Sequence, residues 1–334
     1  MVRFILIILM FSIVTWAEQN ASVEEKTWAD EYHQFFTKKI HLFSHHLDKK
    51  LSSYEYLFET NATTIATKNH TSEKVSEPAV NDWFSSFFKD EIFDEVYTKS
   101  YLIVRGTAEY DHRTGDISFS GKMKASLALP KTENRLHFFI EDSDDLDSRG
   151  FGRETRNNVG LRYFQKNKRL IKSSFSLGLH SYDDPYVRTT LWLPYQIGAW
   201  RNRITQRFQY SIDEKFEEET RFYFDRILDD DDFVRFLAAR WTKEEVDGME
   251  YFGNIVYNKT TKFNKGYQLG VSALGHTEPE DEITQYAAYG VYKENIHRKW
   301  LFYEIEPRVE WDRAFDFEAN YKLLVSLEVF FGDL

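Results

Sequence analysis

Near its C-terminus the chain reads FEANYKLLVSLEVFF over residues 317–331. Phe317, Ala319, Tyr321, Leu323, Val325, Leu327, Val329 and Phe331 fall on one side of an extended chain. Glu318, Asn320, Lys322, Ser326 and Glu328 fall on the other. Successive strand side chains point to opposite faces, so this is a strand with one apolar and one polar face. It is long enough to cross a bilayer at a tilt, with lipid on the apolar side and water or polar groups on the other. The preceding segment agrees: Leu301, Tyr303, Ile305, Val309 and Trp311 alternate with Glu304, Glu306, Arg308 and Glu310. Pro307 lacks a ladder donor, which predicts a bulge.

Working outward, period two holds from Lys99 to Phe331 in about fourteen segments of nine residues or more. The breaks carry turn chemistry, as in Arg113-Thr114-Gly115-Asp116 and Asp183-Asp184-Pro185. A soluble sandwich favours strands of about five or six residues. The pattern therefore predicts an all-β transmembrane antiparallel β-barrel over 99–331, of about fourteen strands with twelve or sixteen as alternatives. Aromatic residues make up 17% of the chain, enough for two interfacial girdles. Mean hydropathy is −0.55, which excludes a polytopic helical membrane protein. The net charge of −11 argues against a nucleic-acid partner. The absence of cysteine excludes disulfides, thiolate metal sites and a lipoprotein anchor.

Ahead of the barrel the chain divides into four parts. Residues 1–17, MVRFILIILMFSIVTWA, have the charged start, apolar core and small-residue end of a signal peptide. Residues 18–58 are expected to form a periplasmic amphipathic helix. Between 24 and 58, Trp28, Tyr32, Phe35, Phe36, Ile40, Phe43, Leu47, Leu51, Tyr54 and Leu57 recur at steps of mostly three and four. At 1.5 Å per residue this helix would be about 50 Å long. It suits a helix packing on its own domain, a coiled-coil partner, a second copy of the chain, or a seat in the barrel mouth. Residues 59–81 read as a flexible linker and 82–98 as a short helix at the mouth, with Trp83, Phe84, Phe87, Phe88, Phe93 and Val96 on one stripe.

The final strand, with Tyr321, Leu323, Val325, Leu327, Val329 and Phe331 on its apolar face, resembles the C-terminal recognition strand of bacterial outer-membrane barrels. Such strands typically end in Phe; Gly332-Asp333-Leu334 after Phe331 depart from that pattern. The stretch from Leu129-Pro130 to Asp144 likewise resembles proteobacterial outer-membrane proteins. The resemblance implies the Gram-negative outer membrane, outer-membrane lipid and the barrel-assembly machinery as partners. It implies no named activity. Phe331 is expected to matter for assembly more than the three residues after it. An even strand number returns both ends to the periplasm and places the longest break, 143–156, outside.

Inward positions separate by sign. A basic wall of Arg188, Arg201, Arg203, Arg207 and Arg221 falls on strands six to eight. An acidic wall of Glu304, Glu306, Glu310, Glu318 and Glu328 falls on the last two. In a ring of fourteen these lie opposite, and the arrangement predicts a transverse field acting on permeating solutes. Local pairing, with Glu217, Glu219 and Asp225 beside the arginines and Arg308 and Lys322 beside the glutamates, is the alternative. The function expected is a passive, porin-like channel for small hydrophilic solutes. The alternative is a closed structural or assembly barrel whose first helix binds a periplasmic partner or plugs the lumen. No enzyme, cofactor or metal is expected. His41, His45 and His46 sit at helical spacing, and the i, i+4 pair His41 and His45 suits a metal but has no obvious third ligand nearby. Asp144, Asp145 and Asp147 lack the spacing of a calcium loop, and nothing completes a lipase-like site around Ser176 and His180. Asn20 and Asn61 stand in Glu-x-Asn-x-Ser/Thr contexts that resemble a bacterial glycosylation motif.

Overall fold

A computed structural model describes residues 27–52, 100–129, 136–142, 157–165, 171–181, 183–229, 231–244, 246–261, 265–296 and 298–332. The signal peptide, the linker, the second helix, Asp144 to Asp147, and Asn20 and Asn61 lie outside them. Fourteen strands appear in the order expected: β1 Tyr101–Asp111, β2 Ile117–Ala128, β3 Leu136–Asp142, β4 Asn157–Gln165, β5 Lys172–His180, β6 Asp184–Ile197 and β7 Trp200–Ser211. β8 Lys215–Asp229, β9 Asp232–Lys243, β10 Val246–Thr261, β11 Lys265–His276, β12 Glu282–Asn295, β13 Leu301–Asp312 and β14 Ala319–Gly332 complete the set. Each pairs antiparallel with its sequence neighbours, and β14 returns to β1, so the barrel is closed and no edge is left open.

The pleat sorts residues as the sequence implies. On β14, Tyr321, Leu323, Val325 and Leu327 are exposed on the outer face, while Asn320, Ser326 and Glu328 are buried inside. An unbroken apolar outer face of this kind is stable only against lipid.

Three local readings change. Pro307 makes no bulge: the register of β12 with β13 is the same on both sides of it, and the β13–β14 ladder runs through Pro307↔Leu323 unshifted. Gly290 lies across from the ring, where an added Cβ would approach it to 3.9 Å. The last strand begins at Ala319, because Asp316 and Phe317 take left-handed φ values of 52° and 58° after a single 3-10 turn, Arg313–Phe315. Phe317 and Glu318 therefore sit in a rim turn. At its other end β14 runs past Phe331 to Gly332, which pairs with Tyr101 and closes the ring. Gly332 has φ 124°, and a Cβ there would lie 2.4 Å from the Ser100 carbonyl oxygen. It is thus part of the closure, not a dispensable tail. Gly332→Val is expected to destabilise the folded barrel by about 1–3 kcal/mol. The check is urea unfolding in vesicles, where an unchanged midpoint would remove Gly332 from the seam.

One described helix, α1 (Trp28–Ser52), precedes the barrel. Thr27 donates from both its amide and hydroxyl to the Asp30 carboxylate, at 2.9 Å each, capping the first turn. Asp30 also receives a bidentate pair from Arg298, in the turn between β12 and β13, at 2.7 and 2.8 Å. The helix then runs along the rim where β1 begins and β14 ends. His33 stacks on Trp300 and, in the tautomer protonated at Nε2, donates to the Phe330 carbonyl 2.7 Å away. Ser44 donates to the Ala128 carbonyl at 2.8 Å. These contacts all lie at the rim. Arg298, with the Thr27 bonds adding to it, holds the Asp30 carboxyl at about 2, well below the ordinary 3.8. A lowered carboxylate stabilises the docked helix above its ordinary range and loses that contribution as pH falls toward 2. A spin label at Gln34→Cys should therefore stay immobile from pH 8 to about 5 and loosen between roughly 4 and 2. Arg298→Ala should loosen it at every pH; a label indifferent to both would deny the pair its docking role.

Candidate functional site: the charged lumen

The ladder registers place the five arginines of the basic wall on one inward phase. Across β6 and β7, Arg188 faces Gln209, Thr190 faces Arg207 and Gln196 faces Arg201. Across β7 and β8, Arg201 faces Asp225, Arg207 faces Glu219 and Thr205 faces Arg221. Arg203, between them, lays its guanidinium over Tyr223 at 4.3 Å. The four strand-borne glutamates of the acidic wall, Glu304, Glu306, Glu310 and Glu328, are buried inside β13 and β14. Glu318 is not among them. It is exposed in the turn before β14, where its carbonyl accepts from Arg113 at 3.1 Å.

Both walls are paired locally. Glu141 on β3 takes Arg162 at 2.7 Å and Arg188 at 3.0 Å. Glu219 takes both Arg207 and Arg221. Asp225 takes Arg235 through two bonds of 2.7 and 3.0 Å. On the far side Glu304 takes Arg105, Glu328 takes Lys293 at 3.1 Å, and Arg308 joins Glu306 to Glu310. Lys322 bridges Glu310, Glu109 and Asp111 at 3.0, 3.3 and 3.5 Å. Two opposed sheets of unpaired charge are therefore not what the barrel contains. Ions drawn out of water need partners at contact distance, and neighbouring strands supply them.

The composition of the lining differs in sign between the two sides. A cavity of about 110 Å³ between β1 and β8 is lined by Lys124, Arg162, Arg188, Arg203, Arg207 and Arg221, six cations, against the carboxylates of Glu141 and Glu219. Across the ring, the ion pairs of Glu109, Asp111, Glu304, Glu306, Glu310 and Glu328 among the described residues include Arg105, Lys293, Arg308 and Lys322. Strand β7 lies half a ring from β14.

The interior also holds an apolar cluster that the alternation alone does not reveal. Tyr223, Leu237, Ala239, Trp241, Phe252 and Ala287 pack together on the inward side of β8, β9, β10 and β12. Val256, Tyr289 and Val291 pack nearby. Their inward phase was readable from Arg235 and Trp241 lying on the same side of β9. The sequence pattern did not favour it, since an apolar residue on either face of a barrel strand looks lipid-facing. This filling occupies the β8–β12 side of the interior.

Ser176 and His180 face the interior, not lipid. Ser176 accepts from Arg162 at 3.2 Å, and His180 bonds to Asn158 and stacks on Tyr186 with centroids 4.0 Å apart. Among the described residues no three His, Asp or Glu side chains converge as a metal site requires.

No family model and no curated protein matches the chain. Among solved structures, the anion-selective porin from Comamonas acidovorans is similar over 70% of this chain and 98% of that one, at 10% identity and a TM-score of 0.46. Outer-membrane expressed OmpT of Vibrio cholerae is similar over 70% and 97%, at 9% identity and 0.46. OprB of Pseudomonas putida is similar over 74% and 97%, at 7% and 0.44. At such identities the likeness is one of fold. This chain's own strand pairing makes it a closed, fourteen-stranded antiparallel barrel.

Proposed function

We propose that this barrel sits in the Gram-negative outer membrane and passes small anionic, hydrophilic solutes through the cation-rich cavity between β1 and β8. The observation that carries the reading is the six-to-two excess of cationic over carboxylate side chains around that cavity. Guanidinium groups fixed by Glu141 and Glu219 present charge without collapsing onto one another. In a narrow, low-dielectric passage such a lining lowers the cost of an anion and raises that of a cation. The size limit follows from the filling: the apolar cluster occupies the β8–β12 side and narrows the interior to small solutes. The role asks nothing catalytic of the lumen.

The test is single-channel recording of the full chain in planar bilayers across a potassium chloride gradient. Small unit conductance with a reversal potential on the chloride side is expected, and a potassium-side potential would reject it. A second reading is favoured by one observation, the 2% exposure of Arg235 and Lys293 inside the barrel. Charges so fully enclosed suit a closed structural barrel. Absence of any conductance from correctly inserted protein would select it.

A further inference from the structure

Three stripes run along α1. Asp30, His33, Thr37 and Ser44 face the barrel, and three of the four make the rim contacts described above. Glu31, Lys38, His45 and Lys49 form an exposed polar flank. The third stripe is apolar yet uncovered: Trp28, Tyr32, Phe35, Phe36, Leu42 and Phe43 are between 47% and 75% exposed. A soluble helix does not leave six large apolar side chains in water.

The direction of this flank is set by two ring contacts. Phe36 meets Phe331 edge-on with centroids 5.8 Å apart, and Phe43 meets Phe138 in the same way at 6.5 Å. Phe331 shares the outward phase of Leu327 and Val325. Phe138 is outward because its neighbours His137 and Phe139 line the interior cavity. The apolar flank thus opens on the outer side of the barrel, continuous with the lipid-facing belt, and the polar flank turns away from it. The described helix is about 37 Å long at 1.5 Å per residue, and it is not apolar enough to cross a membrane. Lys39 lies among these aromatics, exposed and with its Nζ 5.4 Å from the Phe35 ring, as a lysine that carries its charge up to the headgroups does. An amphipathic helix of this composition lies in the plane of a membrane interface.

We propose that α1 is an interfacial anchor, seated in the phospholipid headgroup region beside the rim where β1 begins and β14 ends, and held to the barrel by Asp30–Arg298 and His33. This rests on the reading of the outer belt as lipid-facing, so the test separates the two. The chain has no cysteine, so single cysteines can be labelled without background. Leu42→Cys, Lys38→Cys and Val325→Cys, each carrying an environment-sensitive fluorophore, are inserted as full-length barrel into phosphatidylethanolamine–phosphatidylglycerol vesicles containing spin-labelled lipid. Heat-shifted mobility on SDS gels confirms folding, and Phe35→Cys repeats the apolar position. Quenching at Leu42 should be at least threefold that at Lys38 and close to that at Val325. Strong quenching at Val325 with Leu42 no higher than Lys38 overturns the anchor alone. Weak quenching at Val325 as well overturns the membrane belt beneath it. Efficient disulfide pairing of unlabelled Leu42→Cys between molecules, with little quenching, would assign the flank to a second copy of the chain instead.

Discussion

Replacing Arg203 and Arg207 together by glutamate is expected to move the reversal potential of the open barrel toward the cation side. Both side chains lie on the inward phase of β7 and line the cavity. The double change takes the lining from six cations and two carboxylates to four of each. Two unit charges 4 Å apart interact by about 1 kcal/mol in bulk water and about 4 kcal/mol at an effective dielectric near 20. A tenfold change in permeability ratio needs only about 1.4 kcal/mol. A shift of roughly tenfold or more in dilute salt is therefore within reach. It should shrink as ionic strength rises, because screening acts over about 10 Å at 0.1 M. Glu306→Lys should move selectivity the other way. Adding Glu318→Lys should change it little further, since Glu318 stands exposed at the rim. A conducting barrel whose selectivity ignores Arg203 and Arg207 would place the cavity off the solute path.

Arg235→Met should be the most destabilising single change in the lumen, at about 3–5 kcal/mol. Arg235 is 2% exposed and holds Asp225 through two bonds, with the Tyr223 and Phe233 rings beside it at 5.1 and 5.8 Å. Removing the guanidinium leaves a carboxylate enclosed beside the apolar cluster. Met keeps most of the volume, so the loss reports the charge more than a void. Arg235→Met with Asp225→Leu should regain most of the stability, because a buried pair replaced whole by apolar groups is often neutral. Urea midpoints in vesicles measure both. A cost below about 1 kcal/mol for the single change would mean that water reaches Asp225. The β8–β12 side would then be open, and the solute path wider than the cavity alone.

The strands were legible because each must separate lipid from interior along its whole length. For Tyr321, Leu323, Val325 and Leu327 only one phase keeps Lys322 and Glu328 out of lipid. The same logic placed the arginines of β6 to β8 inward. Where the backbone leaves the extended form the rule lapses: at Asp316 and Phe317 the left-handed turn put Glu318 at the rim, and no alternation announces that. The helix was legible as amphipathic, but its apolar stripe does not say what it faces. The contacts of Asp30 with Arg298 and of Phe36 with Phe331 join residues about 270 and 295 positions apart, which no local pattern connects.

By itself, then, the sequence determined a barrel of long alternating strands and the phase of those whose charges all fall on one side, because a pleated wall between two solvents keeps charge off its lipid face. The tertiary structure alone decided which charges meet, that apolar residues fill one side of the interior, and that α1 docks at the rim through Asp30, His33 and Ser44. Those depend on the register of fourteen strands closing on one another. Contact distance, not face, determines whether Glu219 neutralises Arg207 and Arg221 or leaves them to a solute.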